Sequence, residues 1–60
     1  MQVIGFNTHD IETVSFNRVS PLSLHRLVTD LLSLNSPNIH RIEVRNYWGD
    51  KCYEVQQATT

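Results

Sequence analysis

His9, Asp10, His25, His40 and Cys52 are the residues of this 60-residue chain whose types suit a metal site. Zinc sites announce themselves with paired ligands at short spacing, such as two cysteines separated by two to four residues. Here the intervals are long and irregular, and His25 falls on the polar flank of a helical pattern. Solvated surface histidines account for this set better, so no metal is expected. Cys52 could also serve as a nucleophile if paired with a histidine. A reactive thiolate needs an electropositive, partly exposed setting, and no family-type local pattern surrounds Cys52. Gly5 and Gly49 are isolated and neither immediately precedes a helix, so there is no phosphate-cradling loop. Glu43 and Glu54 could serve as an acid/base pair only if they converged, and Arg45 and Gln56 separate or neutralise them. The sequence therefore predicts a non-enzymatic chain without cofactor.

Chemistry of recognition remains. Arg41, Glu43, Arg45 and Tyr47 recur at every second position, as they would along one face of a strand. They are expected to oppose Ala58, Gln56, Glu54 and Cys52. Arg and Tyr are enriched among the residues that dominate protein interfaces. The expected partner-binding residues are Arg41, Arg45 and Tyr47 on this face, with Trp48 at the hairpin tip. By parity Trp48 belongs to the opposite face, where it is expected to close the core against a helix end; otherwise it projects as a contact. The same face offers an alternative, since bases stack on aromatics and phosphates pair with Arg. Glu43 and Glu54 in its middle count against nucleic acid.

These residues must be positioned by a small number of elements. Ile4 and Phe6 alternate with Gly5 and Asn7, and Val14 and Phe16 alternate with Thr13, Ser15 and Asn17, which predicts a hairpin over Val3 to Val19. Matching apolar faces pairs Ile4 with Phe16 and Phe6 with Val14. That leaves Val3, Gly5, Asn7, Thr13, Ser15 and Asn17 outward. Ser20-Pro21 predicts a helix start, with Ser20 capping and Pro21 needing no hydrogen bond. Leu24, Leu27, Val28, Leu31 and Leu34 form its apolar stripe, widened by Leu32. Leu22, His25, Thr29 and Leu32 make a side stripe. Asn35 suits a left-handed C-terminal residue, and Pro37 prevents continuation. Trp48-Gly49-Asp50-Lys51 fits a two-residue hairpin turn. The implied pairs run from Tyr47 with Cys52 through Arg45 with Glu54 and Val44 with Val55 to Ile42 with Gln57. Ile42, Val44, Tyr53 and Val55 then face inward, and Asn46 stands out as a polar residue on that side. The prediction is an α+β domain over residues 1–60 in the order ββαββ: a four-stranded antiparallel sheet with one helix packed on one face.

Composition agrees with a folded chain: 40% hydrophobic and 18% charged. Five Lys and Arg against six Asp and Glu give a net charge of −1, without the basic stripe of a dedicated nucleic-acid binder. The longest apolar runs, such as Leu31-Leu32, are two residues long, so no membrane span is expected. No basic region followed by an apolar stretch marks a secretory signal. A single cysteine excludes an intrachain disulfide, and a reducing cytoplasm is the expected compartment. Sixty residues bury only about 60% of their unfolded surface. So small a core predicts self-association, here a homodimer, together with binding to another protein as a regulator or inhibitor.

Overall fold

The computed structural model describes residues 1–34 and 36–57. The elements are β1 (Gln2–Phe6), β2 (Glu12–Phe16), α1 (Pro21–Ser33), β3 (Arg41–Arg45) and β4 (Lys51–Gln56). The strands form one open antiparallel sheet in the order β2-β1-β3-β4. The ββαββ architecture is thus the expected one. Each hairpin supplies one central and one edge strand. The two are joined by pairing β1 with β3, Val3 opposite Val44 and Gly5 opposite Ile42.

Local chemistry starts the helix as anticipated. Ser20 is the N-cap, its Oγ accepting from the Leu22 backbone N–H at 3.2 Å, and Pro21 follows in the first turn. Leu24, Val28 and Leu31 are buried against Val3, Ile39, Ile42 and Val44. Fully burying a side chain of this size contributes roughly 1.5–3 kcal/mol, and Val3, Ile42 and Val44 are the largest that reach complete burial. Leu34 departs from the predicted stripe. It caps the helix C-terminus, its N–H still donating to the Asp30 carbonyl at 3.3 Å, and is 65% exposed. The predicted C-terminal role of Asn35 and the pairing of Ala58 lie outside the described residues. No helix among the described residues is long and apolar enough to cross a membrane.

The first hairpin is paired one residue away from the predicted register. Val3 lies opposite Phe16 and Gly5 opposite Val14, so Val3 and Gly5 face the helix while Ile4 and Phe6 face the other way. A one-residue slip exchanges the faces of a strand. The packing at Gly5 gives the reason. A Cβ there would lie 2.6 Å from Val14 Cγ2 and 3.6 Å from Ile39 Cγ2. The missing side chain is the space into which these two residues pack.

The second hairpin is shifted by two, which preserves its faces. Ile42 opposes Val55 and Val44 opposes Tyr53. The predicted Arg45–Glu54 opposition is replaced by Glu43 opposite Glu54, and the tight two-residue turn by a longer loop. In that loop Asn46 Oδ1 accepts the N–H groups of Trp48 and Asp50, both at 3.0 Å. The backbone closes with Gly49 N–H to Asn46 C=O at 3.1 Å and Asn46 N–H to Asp50 C=O at 2.9 Å. Gly49 adopts φ +88°. This is a three-residue loop ending in a left-handed residue, and it accounts for Asn46: the side chain organises the turn and has no part in the core.

Candidate functional site

The sheet face away from the helix carries a charge network centred on Glu43. Alternation along β3 puts Arg41, Glu43 and Arg45 on this face, and the β1–β3 register sets Ile4 opposite Glu43 and Phe6 opposite Arg41. Arg45 donates to Glu43 Oε1 from Nη2 at 2.9 Å and from Nε at 3.3 Å. Arg41 Nη1 donates to Glu43 Oε2, and at 3.3 Å to Glu54 Oε2. Arg41 Nη2 reaches Asp10 of the first hairpin loop at 3.1 Å. Lys51 Nζ closes the chain on Glu54 Oε1 at 3.2 Å. The opposition of Glu43 and Glu54 would repel, and the shared Arg41 guanidinium offsets it.

Folding the two arginines over Glu43 leaves it only 6% exposed on a face that no second layer among the described residues covers. The Arg41 guanidinium also lies 4.4 Å from the centroid of the Phe6 ring, so cation and aromatic face are in contact. The charges answer one another. Hydrogen bonding by Arg45, reinforced by the charge of Arg41, holds the Glu43 carboxyl below the usual glutamate range. Lys51 and then Arg41 do the same for Glu54. Burial works against the charge of Arg41, but Glu54, Glu43 and Asp10 outweigh it and raise its pKa. Three cations and three carboxylates thus neutralise one another across the face.

Tyr47 and Trp48 sit elsewhere. Both belong to the loop between β3 and β4, where Tyr47 is 89% and Trp48 80% exposed. Trp48 therefore does not close the core, and Tyr47 does not continue the sheet face. Their rings meet edge to face, centroids 5.6 Å apart at 83°. Beside them is a concavity of about 210 Å³ lined by Met1, Gln2, Asn17, Arg18, Asn46 and Tyr47. The four residues singled out from the sequence therefore divide into two pairs: Arg41 and Arg45 inside an ion network, Tyr47 and Trp48 free at a tip.

Sequence reasoning passed over three positions. Ile39, in the connection before β3, is a core residue. Asn7 organises the first loop as Asn46 organises the second, its Oδ1 accepting from His9 N–H at 2.9 Å and Ile11 N–H at 3.0 Å. Arg18 takes φ +59° at the end of the first hairpin. The shared signal of the two loops was readable: an asparagine followed three residues later by Asp10 or Gly49, both tolerant of left-handed backbone.

His9 and His25 are exposed and His40 is half-buried, each on a different element or loop. Among the described residues no three His, Cys, Asp or Glu side chains converge on a point that could hold a metal ion. Cys52 is exposed, its Sγ 3.9 Å from the Asp50 carbonyl. No family model, curated protein or solved structure matches this chain.

Proposed function

We propose that this chain is a non-enzymatic protein-interaction module, a cytoplasmic regulator or inhibitor that binds a partner protein and also self-associates. The observation that supports it is the Tyr47–Trp48 pair, exposed on a loop that Asn46 holds in one conformation. Large aromatics on a pre-organised loop lose little conformational freedom on binding, and such residues dominate interface energetics. Arg45, the last residue of β3, lies at the base of this loop, whereas Arg41 stands at the opposite end of the strand, beside Asp10 of the first hairpin loop. The other exposed apolar side chains, such as Leu22, Leu34 and Ile11, belong to different elements and loops, as isolated surface apolar residues usually do.

The alternative reading places an oligonucleotide on the outer sheet face. Phosphate binding draws on cations free to replace counterions, whereas Arg41, Arg45 and Lys51 are each paired to a carboxylate. Protein recognition is the better-supported of the two.

Affinity capture from the native cell, compared between the wild type and Tyr47→Ala and Trp48→Ala, tests the reading. Each truncation should weaken capture of the specific partner about 30-fold, the loss of roughly 2 kcal/mol that a hot-spot residue contributes. Circular dichroism should show an unchanged fold. If both variants capture the same proteins as the wild type, the tip is not the binding surface. A steep fall of binding to a mixed oligonucleotide with rising salt would instead establish the nucleic-acid reading.

A further inference from the structure

The charges that the outer face leaves unpaired are unevenly placed. Arg41, Arg45 and Lys51 are satisfied there, and Arg26 has Asp30 within 4.0 Å one helical turn on. Among the described residues Arg18 is the one Lys or Arg with no carboxylate within ion-pair distance, and it lines the concavity beside Asn46 and Tyr47. Asp50 has no cation partner among the described residues either, and it lies in the same loop as Tyr47 and Trp48. One end of the sheet therefore carries the unpaired Arg18 and Asp50 charges, the Met1 ammonium and two exposed aromatic rings.

Arg18 is also held in place. Its φ of +59° is a conformation that a non-glycine residue rarely adopts, so its surroundings must impose it. They do so on both sides. Val19 N–H donates to the Met1 carbonyl at 2.7 Å and the Met1 amine donates to the Val19 carbonyl at 2.8 Å. Asn17 Oδ1 accepts from Gln2 Nε2 at 2.9 Å. The residues before and after Arg18 are tied to the start of β1, and the guanidinium stem leaves from a fixed point.

The size of the concavity constrains its occupant. At about 210 Å³ it falls below the roughly 300–1,000 Å³ of small-molecule sites and suits a side chain. We infer that this tip is a self-complementary surface for a second copy of the chain: Asp50 of each copy enters the Arg18 concavity of the other, and the Tyr47 and Trp48 rings pack between the two ion pairs. A twofold contact requires that residue i meet residue j and j meet i, and a patch that presents both the Arg18 guanidinium and the Asp50 carboxylate meets that requirement, with the Met1 ammonium in the same concavity adding to its attraction for a carboxylate. The inference rests on the self-association in the functional reading above and assigns the residues that carry it.

Charge exchange tests it on the full chain. Sedimentation velocity over a concentration series should show the wild type doubling its mass. Arg18→Glu sets a carboxylate against the Asp50 of the other copy and Asp50→Arg sets a guanidinium against its Arg18, so each variant alone should dimerise at least about tenfold more weakly. An equimolar mixture of the two should dimerise again, as should the doubly exchanged R18E/D50R chain, since both restore two opposite pairs. Arg18→Gly, which suits the left-handed backbone, should stay folded and lose association, separating a lost contact from a lost fold. A monomeric wild type overturns the inference, as does a dimer indifferent to both single exchanges or a failure of the mixture to recover. A monomer that instead binds acidic peptides through Arg18 would overturn it in favour of a different partner. The exchange leaves Tyr47 and Trp48 untouched, so its failure is distinguishable from failure of partner capture.

Discussion

Hairpin β1–β2 turns through Asn7 to Ile11 and hairpin β3–β4 through Asn46 to Asp50, and the two loops share every backbone contact. In each, an asparagine Oδ1 accepts the N–H groups two and four residues on. In each, the fourth residue donates to the asparagine carbonyl at 3.1 Å and takes a positive φ, 60° at Asp10 and 88° at Gly49. Both hairpins shift register beside the loop, between Gly5 and Phe6 and between Val44 and Arg45, where Thr13 and Cys52 are the extra residues on the returning strands. What the loops display differs. The first holds Thr8 and His9 at its crest, and Asp10 turns back to Arg41, while the extra residue Thr13 ties the hairpin to Asn38 through an Oγ1 hydrogen bond of 2.6 Å. The second holds Tyr47 and Trp48 at its crest and Gly49 in place of Asp10. One loop is bound back to its own protein and the other is left exposed, although the same backbone device builds both.

Gly5 and Val44 occupy matched positions relative to the two asparagines, each two residues before its own. Val44→Ala should destabilise by about 2–3 kcal/mol, the transfer and cavity terms of a completely buried valine. Gly5→Ala should cost about 1–3 kcal/mol for the opposite reason, overpacking against Val14. Urea denaturation of both variants checks the pair. If Gly5→Ala were neutral, the close approach of Val14 would not be what sets the first register.

Ile4 and Glu43 make the next contrast, facing each other at the centre of the outer face. Glu43→Gln should destabilise by about 1–2 kcal/mol. That is below the roughly 3–5 kcal/mol of a fully buried pair, because Arg41 retains Glu54 and Asp10. The acid response has a definite sign. Glu43 and Glu54 have folded pKa values below their ordinary ones, so their stabilisation is complete above about pH 4.3, the unfolded glutamate value. It is lost as pH falls through the lower folded values. Denaturant midpoints measured from neutral pH to about pH 3 should fall for the wild type over that window, and less steeply for Glu43→Gln. Equal slopes would remove Glu43 from the acid response.

The loops should show the smallest effect. Asn46→Ala and Asn7→Ala each strip two hydrogen bonds from exposed backbone N–H groups and should each cost about 1 kcal/mol, a melting shift of roughly 4–8 °C in a domain this small. Their equality is the point: a much larger loss at one would mean that the loops are not equivalent supports.

Legibility followed the range of the interactions. The helix was readable because its determinants are local: the Ser20 cap, Pro21, and apolar residues at helical spacing. The faces of β3 and β4 were readable because Ile42 and Val44 alternate with charged residues, and a slip of two in register leaves them unchanged. β1 misled because Val3, Ile4 and Phe6 make both of its faces apolar, so alternation had no single solution. The choice fell to partners distant in sequence, Ile39 above Gly5 on one side and the arginines over Glu43 on the other. The same holds for the candidate site. Tyr47 and Trp48 were conspicuous by type, but their shared exposure depends on Asn46 closing a loop three residues long.

Residue types and short-range spacing by themselves determined two hairpins and one capped helix, because caps, alternation and helical spacing act within a few residues. The tertiary structure decided which face of β1 is buried, which charges neutralise one another and which are left over. Those outcomes depend on side chains from three or four strands and loops meeting at one place, and no local pattern encodes that meeting.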